Sequence, residues 1–316
     1  MEDVVAYKVT ERTNVRHITD REGLLGALFL LPAVVYIIAL VGIPFLLAIA
    51  FSLSDVTVGD TSLDFVGLQN FSRVIKTPQF QRSLVNTFAF TLIAQVVIIV
   101  LANILAVVLA EDFRGKWIAR MLIMLPWATP IALGTIGWFW FLDSKFSPID
   151  WVLQAVGLLG PGTLLGPGRH MVYLGREWLA MASVITVQVW RLLPLAAVIL
   201  MAAFTSIDRD LIDQAEVDGA SFWRIHFQVK IPLILPILYI SLLFSLITMF
   251  GDMVVVYVLT RGGPVYYTQV LATWAYFKGI EGGSLSEGAA IALFLFPLLL
   301  AVAILILRAA RRMEIN

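Results

Sequence analysis

The sequence predicts an all-α membrane protein with six transmembrane helices, and three observations carry that expectation. Hydrophobic residues make up 60% of the 316 positions and charged residues only 14%, with a mean hydropathy of +0.90, whereas about a quarter of a soluble domain is charged. Apolar runs of about 20 residues, the length a helix needs to cross the hydrocarbon, occur six times. Lys and Arg are distributed unevenly between the alternate connections, as they are in multi-pass chains.

The runs are Leu24 to Phe51, Leu84 to Ala110, Ala119 to Leu142, Trp178 to Phe204, Leu233 to Leu259 and Ala289 to Leu307. An even number places both termini on one side. That side carries Lys8, Arg12, Arg16 and Arg21 in the N-terminal tail, and Arg114, Lys116 and Arg120 between the second and third runs. It also carries Arg209, Arg224 and Lys230 between the fourth and fifth, and Arg308, Arg311 and Arg312 at the C-terminus. The opposite, longer segments hold only Arg73, Lys76, Arg82, Lys145, Arg169, Arg176, Arg261 and Lys278. Short cytoplasmic segments are enriched in basic residues, so both termini are expected in the cytoplasm. The expected organisation is a tail over 1–23, a membrane domain over 24–310 with a long cytoplasmic loop at 205–231, and a tail over 311–316. Membrane lipid is therefore an expected partner. No apolar core with a small-residue cleavage site precedes the first run, so no cleaved signal peptide is expected.

Composition also bounds the chemistry. The net charge is zero, and nothing points to nucleic acid as a partner. There is no cysteine, which removes disulfides, thiolate metal sites and cysteine nucleophiles. His17, His170 and His226 fall in three different segments and make no metal-ligand spacing. The external segment Asp143 to Glu177 contains L-L-G-P-G at Leu158 to Gly162 and again at Leu164 to Gly168. These read as Pro-Gly turns, because no G-x-x-x-x-G-K-[ST] occurs anywhere and the chain has no evident nucleotide site.

The loop Ser206 to Pro236 is densely charged, yet Leu211, Ile212, Ala215, Ala220, Phe222 and Trp223 recur in it at helical spacing. A solvated connector needs no apolar stripe. Gly219 suits the end of one short helix and Pro232 the start of the next.

Polar residues inside the spans are the other candidates. Arg191 lies about 13 residues, or ~20 Å, from either end of the fourth run, with Gln188 and Trp190 beside it. A charge at that depth costs at least ~2.5 kcal/mol and needs a partner, a cavity or water. Two readings stay open: a polar wall of a solute path, or a structural pair with Asp252. Thr91, Gln95 and Asn103 read as interhelical hydrogen bonds. Trp138, Trp140, Trp178 and Trp274 read as interfacial belt residues. A stand-alone secondary transporter or polytopic membrane enzyme would require charged relays in several spans, and only Arg191 and Asp252 are available.

D-Q-A-E-V-D-G-A at Asp213 to Ala220, followed by Ile231-Pro232, resembles the signature loop of the membrane subunits of binding-protein-dependent ABC importers. The pattern there is E-A-A, two variable residues, D-G-A and then I-x-L-P. Asp213 replaces the glutamate, Gln214 an alanine, His226 an aromatic, and Asp208 a preceding proline. F-V-G-L-Q-N-F at Phe65 to Phe71, Asn86-Thr87, L-P-W-A-T-P at Leu125 to Pro130 and L-T-R-G-G-P at Leu259 to Pro264 look like the carbohydrate-uptake permeases of that group. The resemblance implies a type I ABC importer permease fold in a bacterial or archaeal cytoplasmic membrane. Its signature loop would be a coupling helix docking on a cytoplasmic ATPase through Asp213, Ala215, Asp218, Gly219, Ala220 and Phe222. The solute path would use Gln188, Trp190, Arg191, Asp252 and Tyr257. The implied partners are a second related permease, two copies of the ATPase and an external solute-binding protein. The chain itself would bind no cofactor and catalyse nothing, with ATP and magnesium used by the ATPase.

Overall fold

The computed structural model describes residues 22–314. His17 and the four basic residues of the N-terminal tail lie outside them. Two compact units are present, Met1–Ile49 and Ala50–Asn316. Among the described residues, five helices are long and apolar enough to span a membrane, and a bent pair supplies a sixth span.

The first span comprises α1 (Glu22–Ile37) and α2 (Ile43–Ser52), joined through a π-turn at Ile38–Gly42. The π-turn sits just before Pro44. A widened turn there relieves the clash between a proline ring and the carbonyl four residues back, so the helix continues.

After the first span comes a hairpin of β1 (Ser54–Thr57) and β2 (Asp60–Phe65), paired antiparallel, and then α3 (Gln69–Ile75). The Phe65 to Phe71 stretch acts as a clamp. The buried Asn70 amide donates to the carbonyls of Ser52 and Ser54, both at 2.9 Å, and Phe71 packs edge-on against Phe294 at 5.5 Å.

The second span, α4 (Pro78–Ala110), starts six residues earlier than its apolar run. Thr77 caps it by accepting from the Phe80 amide, and Pro78 occupies the first turn. On this helix Ala94, Ile98, Ala102 and Ala106 are fully buried at four-residue spacing. They pack with Ala196, Ala197, Leu200 and Ala203 of α8 (Glu177–Thr205). Small residues let the two backbones approach closely, and dispersion then holds them where lipid offers no hydrophobic drive. At the end of α4 the Arg120 guanidinium donates to the Leu109 carbonyl at 2.6 Å.

The third run is not one straight helix. It folds as α5 (Lys116–Ala128) and α6 (Ile131–Phe141), bent by 95°. Pro130 cannot donate to a helical carbonyl, and Thr129 before it is extended.

The loop to α8 contains α7 (Pro148–Ala155). Its buried Asp150 accepts from the Tyr173 hydroxyl at 2.7 Å and the Met171 amide at 3.0 Å. Burial, and then the Asp150 carboxylate, push the Tyr173 phenol well above its usual range. The two L-L-G-P-G turns pair with each other through Gly160 to Gly166 and Leu165 to Leu158 backbone bonds.

Beyond α8 come α9 (Arg209–Val217), α10 (Phe222–Arg224), a π-turn at Ile225–Lys230 and α11 (Ile231–Gly251). The expectation that Pro232 opens this helix is corrected, because the helical path begins at Phe222 and runs on to Gly251. The π-turn ahead of Pro232 absorbs the missing donor, as another does ahead of Pro44.

The fifth run breaks at Asp252 and Met253, and α12 (Val254–Leu259) follows as a separate piece. The Asn86 amide donates to the carbonyls of Tyr266 and Gln269, both at 3.0 Å. Thr87 accepts from the Leu271 amide at 2.9 Å. Asn86-Thr87 therefore fixes α4 to the segment that follows the L-T-R-G-G-P loop, from Tyr266 to Leu271. Next are α13 (Leu271–Tyr276), a π-turn at Phe277–Glu281 and α14 (Leu285–Glu314), which carries helix into the stretch expected as a tail. Gly279 and Gly288 cross so closely that neither has room for a Cβ.

Of the four expected belt tryptophans, Trp140 and Trp178 are exposed, but Trp274 is buried among Phe80, Leu271 and Ile291. Trp138 turns inward to meet Trp190. An indole can bury its apolar body in a bundle as well as in headgroups, and packing decided here.

Candidate functional site

The α9 segment has a defined beginning and end. The Asp208 carboxylate accepts from the Asp210 amide at 3.1 Å and starts the helix. At the other end Gly219 adopts φ +76°, the left-handed region. Its amide donates to the Glu216 carbonyl, and the Ala220 amide donates to the Ala215 carbonyl at 3.0 Å. This six-to-one bond closes a Schellman cap. It also explains the motif spacing, since Ala215 and Ala220 must meet for Gly219 to turn the chain.

Of the expected apolar stripe, Leu211, Phe222 and Trp223 are exposed, whereas Ile212, Ala215 and Ala220 are half-buried. Val217 is 87% exposed, Phe222 56% and Trp223 65%. Around it Asp213 and Asp218 form no ion pair among the described residues. Asp210, Asp213, Gln214, Val217 and Asp218 line a groove of about 450 Å³. An acid at a helix C-terminus opposes the helix dipole, so Asp218 costs local stability unless a donor meets it. Val217 was missed by sequence reasoning. The available signal was its position four residues after Asp213, on the same helical face.

The intramembrane candidates divide into two groups. Arg191 is ion-paired with Asp252, their side chains 23% and 6% exposed. The Gln188 amide donates to the same carboxylate oxygen at 3.2 Å. The other Asp252 oxygen accepts from the Val254 amide at 2.8 Å, capping α12. The pair thus ties α8 to the α11–α12 break, and the expected partner of Arg191 is Asp252. Its guanidinium nevertheless keeps an open side, and the buried Gln188 Oε1 has no protein partner.

Trp190 meets Trp138 edge-on at 5.7 Å and presses against Gly134. With Gly137 and Phe141 these residues line an apolar cavity of about 360 Å³. The two glycines, three apart in an aromatic-rich run, were the signal that sequence reasoning left unused. An indole-lined hollow of this kind can hold the apolar face of a solute.

Tyr257 does not join that group. Its hydroxyl donates to Glu281 at 3.0 Å and accepts from Arg261 at 3.2 Å, and the Arg261–Glu281 pair is 2.7 Å apart. Arg261 and Glu281 line a separate cleft of about 520 Å³ with Tyr266, Trp274 and Phe277, and Tyr257 packs against that Phe277.

The expected interhelical bonds are present for two of the three residues. Gln95 accepts from the Ser245 hydroxyl at 2.8 Å, and Asn103 meets His226 at 2.9 Å. Thr91 Oγ1 is buried without a hydrogen-bond partner, against expectation.

Among curated proteins, the chain is 26% identical over 291 residues to the trehalose/maltose transport system permease protein MalF of Thermococcus litoralis, covering 92% of this chain and 95% of that protein. It is 27% identical over 309 residues to the diacetylchitobiose uptake system permease protein DasB of Streptomyces coelicolor, covering 96% and 92%. Among solved structures, it superposes with a TM-score of 0.77 at 20% identity on a chain of the bacterial alginate ABC transporter in complex with alginate pentasaccharide-bound periplasmic protein, covering 93% and 96%. The fold is that of a type I ABC importer permease. Residues 98–315 match the family described as binding-protein-dependent transport system inner membrane component. This span contains α8, the capped α9 segment and the Arg191–Asp252 pair, and the chain accordingly belongs to that family of multi-pass inner-membrane permeases.

Proposed function

We propose that this chain forms half of an ATP-driven import path for a carbohydrate or carbohydrate-like solute. The observation that carries the proposal is the exposure of Val217, Phe222 and Trp223 on either side of the Gly219 turn of a charged, doubly capped segment. Exposed apolar side chains clustered in sequence on a water-facing segment mark a protein-binding surface. In a permease of this family its occupant is a cytoplasmic ATPase, which would receive Asp213, Ala215, Asp218, Gly219, Ala220 and Phe222. Two ATPase copies would use ATP and magnesium, while this chain binds neither and catalyses nothing. A second related permease would complete the path, an external binding protein would deliver the solute, and both termini would face the cytoplasm, as the basic residues favour. Family membership disfavours a secondary transporter or enzyme acting alone.

Gln188, Trp190 and Arg191, with Asp252 behind them, would form this chain's wall of the path, and Tyr257 would lie outside it. The sugar class is supported by the solutes named for the relatives and by the indole-lined cavity. The test is reconstitution in liposomes with the companion permease, ATPase and binding protein, scored against a sugar panel. Uptake of one sugar class is expected only with ATP, and uptake that persists without ATP hydrolysis contradicts the proposal.

A further inference from the structure

His226 occupies a position where an aromatic is usual, and its surroundings explain the departure. The ring is buried and touches three elements. Asn103 Oδ1 on α4 can only accept, so His226 Nε2 carries the proton and donates to it at 2.9 Å. Phe204, in the last turn of α8, lies 5.7 Å from the ring. Phe222, the first helical residue after the Gly219 turn, stacks parallel to it at 6.1 Å and 8°. His226 also sits inside the Ile225–Lys230 π-turn. A π-turn is a high-energy insertion that recurs at functional sites. Asn103 is seven residues from the end of α4, about 10 Å into the helix at 1.5 Å per residue.

The α9 segment has few other ways to move the bundle, because its own side chains are mostly exposed. A displacement of α9 passes through Gly219 to Phe222. From there, among the described residues, the side-chain hydrogen bond that joins the π-turn to α4 is that of His226 with Asn103. Stacking can slide, whereas a hydrogen bond fixes direction and register.

We propose that His226 and Asn103 are positioning residues that lock the α9 segment to the second span, so that movement of the docked ATPase is converted into movement of α4 rather than lost in the π-turn. This rests on the docking role of α9 given above. The pair touches neither nucleotide nor solute.

Two variants separate the bond from the packing. His226→Phe keeps a ring for Phe222 and Phe204 but removes the donor. His226→Gln places an amide donor where Nε2 stood and gives up the ring. The measurement is solute imported per ATP hydrolysed in reconstituted vesicles, with ATPase retention on co-purification recorded alongside. The Phe variant is expected to keep its ATPase and lose about threefold to tenfold in solute per ATP, the range one buried hydrogen bond supports. Asn103→Leu should match it, and the Gln variant should stay within about twofold of the unmodified protein. An unchanged ratio in His226→Phe, or a Gln variant as poor as the Phe variant, overturns the proposal. Failure of the unmodified complex to retain its ATPase overturns the docking reading, and the positioning role with it.

Discussion

Asp252→Leu is expected to lower the stability of the membrane domain by about 3–5 kcal/mol, the cost of leaving a buried charge without its partner. The carboxylate accepts from Arg191, Gln188 and the Val254 amide, so its loss strands a guanidinium in mid-membrane, an amide and a helix start together. Arg191→Leu should cost less, because Gln188 and Val254 still serve the carboxylate. The double replacement should recover most of the loss, since a buried ion pair exchanged for apolar residues of similar volume is often near neutral. Thermal unfolding of the purified complex in detergent checks the series. The double variant also separates structure from path. If it melts normally but no longer shows solute-stimulated ATP turnover, the open side of Arg191 serves the solute. If it melts and transports normally, the pair only braces the helix break.

Gly219→Val is expected to reduce uptake by about fivefold to thirtyfold while the membrane helices stay folded. A β-branched residue at φ +76° is strained by roughly 1–2 kcal/mol, and each 1.4 kcal/mol corresponds to about a factor of ten in a binding equilibrium. Space is not the obstacle, because a Cβ at Gly219 meets nothing within 4 Å. The damage would come from opening the Ala220 to Ala215 bond and redirecting the chain that leads into Phe222 and Trp223. Gly219→Asn, which tolerates the left-handed region better, should retain much of the function. Co-purification of the ATPase with each variant measures the effect, and equal yields for valine and glycine would refute it.

Much of this was legible in the sequence because some residues have few alternatives. Gly219 marks the end of α9, since a glycine there satisfies backbone groups that otherwise go unmet, whereas the Asp208 cap at its start was a signal left unused. The Arg191–Asp252 pair was legible for a similar reason, as a mid-span charge must find a counter-charge. Other features depend on packing and left little trace. Pro126, Pro130, Pro194, Pro232 and Pro297 all lie in apolar stretches, yet only Pro130 sits at a sharp bend. Whether a proline breaks a helix depends on whether a π-turn or a neighbour can absorb the lost bond. Tyr257 looked like part of the Arg191 group on a continuous fifth helix. The break at Asp252 and Met253 starts a new helix, and there Tyr257 meets Arg261 and Glu281. Trp274 reads the same in one dimension whether it faces headgroups or Phe80.

The chain contains no cysteine, so Val217→Cys gives a single labelling site at the most exposed of the apolar side chains around the Gly219 turn. The decisive measurement is its reaction with a membrane-impermeant thiol reagent in oriented vesicles, with and without the companion ATPase. Labelling from the cytoplasmic face alone, suppressed when the ATPase is bound, is the expected result. Labelling from the external face, or an unchanged rate with the ATPase present, would contradict the assignment of this segment as the site where the motor attaches.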